Sequence, residues 1–342
     1  MTPYISVVMS VRNGMPFLPE AVFSVLAQSF EDFEFIVMDN ASVDGSNEWV
    51  TAQQDKRIRL VRNEEDLGLS QSLNRGFSLA RGKYIARMDA DDISVPERLA
   101  VQAAYMDAHP ELVVCGGEVE IFNETSSSLW EVPKGRDAIL STLLFAVPLA
   151  HPAVMYRTEA WKSLELQYDR TLLLSQDFDM WRIIGLQMTK ALDNMGACVL
   201  RYRMHGANLT SVMGDLACRE WKEVAKRILT QFMAAAPSQA ETDLHFVCAH
   251  GCAANAKELA SCLAWLMELQ NVNMRMGWVA ADVFERELLS RWALLCRRTK
   301  FKALLLALPL LARGWASGTR RRALALLLQE IACRLRKKLL HT

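Results

Sequence analysis

Three carboxylates, Asp89, Asp91 and Asp92, stand together in the stretch YIARMDADDISVPE over residues 84–97, directly after a short apolar run. Acids gathered at the end of a buried strand repel one another unless a cation neutralises them. Carboxylates spaced as Asp89 and Asp91 suit a hard divalent ion, Mg2+ or Mn2+, that also grips phosphate oxygens. The next helix can start without these acids, because Ser94, Pro96 and Glu97 offer an N-cap, an early proline and a capping-box glutamate. A second acidic pair, Asp177 and Asp179, opens the apolar stretch LLLSQDFDMWRI. The helix dipole favours acids there, so one of the two is expected to be only a cap. His205 follows a strand-like run over residues 198–202, and His151 begins HPAVMYR. Taken alone, His151 is more often a loop residue than a site residue.

Short apolar runs at residues 5–10, 33–38, 58–62, 84–88 and 112–115 alternate with segments of helical periodicity. Alternation of this kind predicts parallel strands joined by crossover helices. One helix is expected near residues 19–28, another at 69–81 with Leu69, Leu73, Phe77 and Ala80 on one side and Gly82 ending it, and a third near 137–146. In open α/β sheets ligands bind beyond the carboxyl ends of the strands. Three polar groups should therefore converge: residues 10–13, Asp39 with Asn40, and Asp89 to Asp92. Asp39-Asn40 alone reads equally well as an ordinary turn. The first turn, MSVRNG, is not a GxGxxG loop, and the chain has no GxxxxGK[ST] motif, so neither a dinucleotide fold nor a P-loop is indicated. A phosphatase with an aspartyl nucleophile would carry its Asp-x-Asp after the first strand, whereas here it follows the fourth.

With 342 residues, 51% of them hydrophobic, the chain can bury a large core. Lys and Arg balance Asp and Glu at 39 each, which gives no reason to expect nucleic acid. The charge is uneven, however. Residues 291–342 hold 13 of the basic residues and one acid, so this tail carries +12 and the remainder −12. The N-terminus MTPYISVVMS has no basic segment before a long apolar core, and the cytoplasm is the expected compartment. The 8 cysteines are scattered, in keeping with reduced thiols. His245, Cys248, His250 and Cys252 suggest a metal cluster, but helical spacing turns residue 250 away from the others, and helix packing accounts for them better.

These stretches, taken in order, resemble the inverting family 2 glycosyltransferases of the GT-A fold, of the type found in bacterial surface-polysaccharide synthesis. The carriers are SVVMSVRNG, IVMDNASVDGS, GLSQSLNRGFSLARGKYIARMDADDISVPERL, HPAVMYR, and SQDFDMWRI with YRMHGANLTS, spanning about residues 1–212. The resemblance implies a mostly parallel, Rossmann-like sheet flanked by helices over residues 1–214, and composition points to a helical region over 215–342. The resemblance also implies that Ser10, Val11, Arg12, Asn13, Asp39, Asn74 and Asp89 hold the nucleotide, and that Asp89, Asp91 and His205 hold the metal. Asp177 falls on the catalytic base, with His151, Gln176 and Trp181 about the sugar or acceptor. The chain departs from the family at three places: Arg12 stands for the usual Tyr, Asn40-Ala41 for Asp-Gly, and Gln176 for Glu. The expected reaction moves a sugar from a nucleotide donor, a UDP-sugar first, to a glycan or lipid-linked acceptor. A nucleotide-sugar-binding protein without turnover and a sugar nucleotidyltransferase are the competing readings. The latter would need a glycine-rich basic loop that MSVRNG lacks.

Beyond residue 215 helix formers dominate. Residues 303–312 are apolar but contain Pro309 and fall well short of the roughly 20 residues that cross a bilayer. Leu324, Leu327, Leu328, Ile331, Leu335 and Leu339 share a face beside Arg334, Lys337 and Lys338. Such a helix fits an anionic membrane surface, the protein's own body, or a second subunit in a homodimer.

Overall fold

The computed structural model describes residues 2–188, 190–206 and 213–298. The described residues fall into two units: those within 2–139 and 147–221, and those within 140–146 and 222–298.

The first unit is built on a nine-stranded mixed sheet. Four strands, β1 (Ile5–Val11), β2 (Phe33–Asn40), β3 (Ile58–Asn63) and β4 (Tyr84–Asp89), lie parallel in the order β3-β2-β1-β4. Between them run α1 (Leu18–Leu26), α2 (Ser46–Thr51) and α3 (Gly68–Leu79). Every residue of β2 is buried, as expected for a strand covered on both faces. A short β5 (Ile93–Ser94) and α4 (Arg98–Ala108) follow, then β6 (Val114–Phe122), β7 (Ser127–Trp130) and α5 (Arg136–Leu143). Next come β8 (Met155–Arg157), α6 (Thr158–Ser163), α7 (Gln176–Gln187) and β9 (Leu192–Arg203). β8 sits antiparallel between β4 and β6, while β9 runs parallel to β6 and antiparallel to β5.

Strand register puts the polar groups on one edge. Ser10 pairs with Asp89 and Val11 with Asp39, while Asp39 pairs with Arg62 in β3. β9, paired through Arg201 to Ile93 of β5, brings Arg203 and then His205 back to the same edge.

Two expectations about helix ends need correction. Ser94 is not an N-cap; it lies in β5, and α4 begins four residues later, where the N–H of Arg98 donates to the carbonyl of Val95. Nor does Gly82 close α3, which ends at Leu79. Gly82 instead presses against β1, where a Cβ would lie 2.5 Å from the Ser6 nitrogen. Close backbone approach, not helix termination, demands this glycine.

The second unit is helical: part of α8 (Gly214–Met233), then α9 (Gln239–His250), α10 (Ala256–Met276) and α11 (Ala281–Arg298). Ser238 and Glu241 form a capping box at the start of α9, Gly251 ends it in the left-handed region, and Asn255 caps α10. Ile228, Phe232, Leu266, Leu269, Phe284 and Leu288 supply its core. His245 is buried, with Nε2 2.7 Å from the carbonyl of Leu144 and Nδ1 accepting from Trp265 Nε1 at 3.0 Å. Among the described residues no helix is long and apolar enough to cross a membrane. Most of the basic tail, from residue 299, lies outside the described residues, and so does its leucine face.

Candidate active site

At the ends of β1 and β2 the chain folds into two interlocked turns. Asn13, in the left-handed region at φ 52°, accepts from the N–H of Val43 through its side-chain oxygen and donates its own N–H to Ser42 Oγ. Asp39 is fully buried; one oxygen accepts from the Ser42 N–H at 3.1 Å, the other from Asn47 Nδ2 at 2.9 Å, and Arg62 Nε lies 3.6 Å away. Ser10 Oγ donates to Ser72 Oγ. Arg12 pairs with Asp66, which also accepts from Asn40 Nδ2 at 2.7 Å. Thus two unusual residues, Arg12 and Asn40, meet on one carboxylate. An aspartate at position 40 would face Asp66 with like charge.

At the end of β4 the carboxylates of Asp89, Asp91 and Asp92 offer ligand atoms within 4.8 Å of one another. Arg87, two residues earlier and on the same strand face, is fully buried and bidentate to Asp89, at 2.5 Å to each oxygen. Its Nε has no partner. His205 Nε2 is 3.0 Å from Asp91 Oδ2. Arg203 donates its N–H to Asp92 and its Nε to the carbonyl of Asp91, and pairs with Glu20. Asp92 Oδ2 is buried without a partner, and burial together with Asp89 and Asp91 pushes that acid well above the usual range. A buried, unanswered carboxylate oxygen among three clustered acids and an imidazole is a donor set that fits a divalent cation.

Asp177 lies in the first turn of α7, partly open to solvent. Burial raises its carboxyl to about 6; the N–H of Phe178, donating at 2.8 Å, and the charge of Arg87 pull it down, and Asp89 pushes it up. Behind it stands a buried chain in which His151 Nε2 lies 2.9 Å from the Tyr168 hydroxyl, itself 2.8 Å from that of Tyr156. Trp181 stacks on Tyr156, their ring centres 6.1 Å apart.

Residues 6–160 match the family described as Glycosyl transferase family 2. The Methanocaldococcus jannaschii glycosyltransferase MJ1057 is 36% identical over 209 residues, covering 59% of this chain and 71% of that one. The chain belongs to glycosyl transferase family 2. The Escherichia coli O-antigen biosynthesis glycosyltransferase WbnJ is 29% identical over 243 residues, or 67% of this chain and 92% of that protein. Among solved structures, Staphylococcus aureus TarS 1–349 in complex with UDP-GlcNAc superposes with a TM-score of 0.58 over 86% of this chain and 88% of that one, at 16% identity. That likeness speaks for the GT-A fold.

Several residues of this glycosyltransferase stand otherwise than expected. Asn74, expected at the nucleotide, clamps the Tyr168 backbone: its Nδ2 donates to the carbonyl at 3.0 Å and its Oδ1 accepts from the N–H at 2.9 Å. His151, Gln176 and Trp181, expected about the sugar, are all buried and back the site instead of lining it. Gln176 Oε1 and Trp181 Nε1 have no partner there. Asp179 is not free for chemistry, since it is buried and accepts from Arg182 Nε at 2.7 Å. Arg87, Tyr156 and Tyr168 were missed in the sequence. Only Arg87 left a trace there, as a lone charge inside an apolar strand in step with Asp89.

Proposed function

We propose that this glycosyltransferase transfers one sugar, with inversion, from a nucleotide-diphosphate donor to a glycan or lipid-linked acceptor. The observation that carries the reading is the arrangement of acids: Asp89, Asp91 and Asp92 offer ligand atoms within 4.8 Å of one another, His205 Nε2 lies 3.0 Å from Asp91, and Asp177 opens α7 with its carboxyl raised by burial to about 6. A sugar hydroxyl is a poor nucleophile until a base takes its proton, and a carboxyl near 6 is ionised at neutral pH and basic enough to do so. The hydroxyl oxygen attacks the anomeric carbon, its proton passes to Asp177, and the bond to the diphosphate oxygen breaks with its electron pair leaving on the diphosphate. A single displacement inverts the anomeric centre and needs no covalent enzyme intermediate.

The turn Ser10, Val11, Arg12 and Asn13 would cradle the nucleoside, with the buried Asp39 bracing the turn beside it through Ser42 and Asn47. Asp89, Asp91 and His205 would hold Mg2+ or Mn2+, with Asp92 adding charge behind them. A bound divalent ion stabilises the negative charge that builds on the departing diphosphate. Arg87 orients Asp89 and keeps the strand end from being uniformly acidic. TarS was solved with UDP-GlcNAc, which makes UDP-sugars the first donors to test. The O-antigen role in the name of WbnJ supports a surface polysaccharide as the product. The +12 tail over residues 291–342 supports an anionic membrane surface on the cytoplasmic side as the meeting place with a lipid-linked acceptor.

Asp177→Asn is expected to leave donor binding, measured by calorimetry, within about twofold while transfer falls by ~10²-fold or more, the scale of a general base. Transfer at the wild-type rate in that variant would remove Asp177 from the chemistry.

A further inference from the structure

Asp177 is delivered to its place by residues 171–175, a run without regular structure, and what holds that run comes from far along the chain. Glu220 of α8 is 8% exposed and accepts three successive backbone N–H groups, from Leu173 at 2.9 Å, Leu174 at 2.8 Å and Ser175 at 3.0 Å. The next residue, Trp221, stacks its ring on Phe178, with centres 5.9 Å apart and planes at 26°. Two neighbours on α8 therefore grip Asp177 on both sides, one through the amides before it, the other through the side chain after it.

A buried carboxylate needs strong partners, and three charge-assisted bonds at the positive end of a helix supply them. The outcome is a fixed backbone entry into α7. A capping side chain belonging to α7 itself is missing, since its N-cap, Ser175, makes no side-chain cap bond. Ser70 Oγ adds one bond to the carbonyl of Leu172, at 3.1 Å.

We propose that Glu220 is a positioning residue for transfer: its carboxylate sets where Asp177 stands relative to the acceptor hydroxyl. The proposal rests on the reading of Asp177 as the base. Among the described residues no hydrogen bond or ion pair joins Glu220 to the strand-end carboxylates, and donor binding is therefore expected to survive its replacement. Displacing a catalytic group by about 1 Å costs rates of the order of 10²-fold.

The test compares Glu220→Gln and Glu220→Asp with wild type and Asp177→Asn. Glu220→Gln keeps the size but loses the charge and turns an amide NH2 toward N–H donors. We expect its kcat for transfer to fall ~10- to 10²-fold with the donor KM within about twofold, and hydrogen exchange at the amides of residues 173–175 to quicken. Glu220→Asp, retaining the charge one methylene shorter, should recover part of the kcat. Wild-type kcat in Glu220→Gln beside an inactive Asp177→Asn overturns the proposal alone, as does a parallel loss of kcat and donor binding that matches the loss of folded protein. Wild-type transfer in Asp177→Asn overturns the base reading and this proposal with it, while amide exchange still reports whether Glu220 holds the run.

Discussion

His245 in the helical unit and Asp177 in the sheet unit are both shifted by burial, His245 down to about 4 and Asp177 up to about 6, yet their surroundings treat them differently. Both ring nitrogens of His245 are answered, by the Leu144 carbonyl and the Trp265 indole, and the residue has no exposed surface. Asp177 accepts a bond from the neighbouring Phe178 N–H, keeps a face to solvent, and feels Arg87 and Asp89. A shifted pKa marks chemistry only where hydrogen-bonding capacity is left over and a substrate can reach it. Among the acids, Asp92 keeps an unanswered oxygen, whereas Asp179 is held by Arg182.

The contrast is most exposed to failure at Asp91. Asp91→Ala should reduce transfer by ~10³-fold or more, as loss of a charge-stabilising group does, while the melting temperature falls little. Near-full activity would mean that the acid cluster is structural like His245. On the other side, His245→Ala should cost about 3 kcal/mol in denaturant unfolding, because it leaves the Trp265 N–H and the Leu144 carbonyl unpaired and opens a cavity. Its kcat per folded molecule should equal that of wild type. A selective loss of kcat would blur the distinction between the two regions.

The pH dependence sharpens the comparison. Asp177 must be ionised to accept a proton, so kcat should fall about tenfold per pH unit below about 6 and level off above it. A rate that stays flat to about pH 4.5 would remove Asp177 as the titrating group. The smallest effect concerns stability. A carboxyl whose folded pKa lies above its unfolded one contributes stability at pH values below the unfolded pKa and loses that contribution as pH rises through the folded one. Asp177→Asn should therefore stabilise the protein by about 1–2 kcal/mol near pH 8, after allowance for the solvent that reaches the group, and by almost nothing near pH 4. Urea midpoints at the two pH values check this.

Much of the sheet unit was legible because its signals are local. The strand runs at residues 5–10, 33–38, 58–62 and 84–88 match β1 to β4 within a residue or two, and a strand buried on both faces advertises itself as a continuous apolar run. The helix ends were less legible. Ser94 carries the chemistry of an N-cap yet enters β5, since pairing with β9, a partner over a hundred residues away, outweighs a local cap. Asn74 sits within a glycosyltransferase motif, and nothing near it in sequence reveals that its amide is committed to Tyr168. Glu220 lies outside every motif.

By itself the sequence determined the alternation of strands and helices, the family, the acids at the end of β4 and the acid that opens α7, since each is written in a dozen or so contiguous residues. Only the tertiary structure decided which of those acids are answered and which are left open. Arg87 on Asp89, Arg182 on Asp179, His205 on Asp91 and Glu220 on the run before Asp177 are choices among charges of the same kind. The choice follows from strand register and helix placement, which bring together side chains as far apart as Asp91 and His205, 114 positions along the chain. Burial then turns identical carboxyls into different acids, because desolvation and neighbouring charge act through space and not along the sequence.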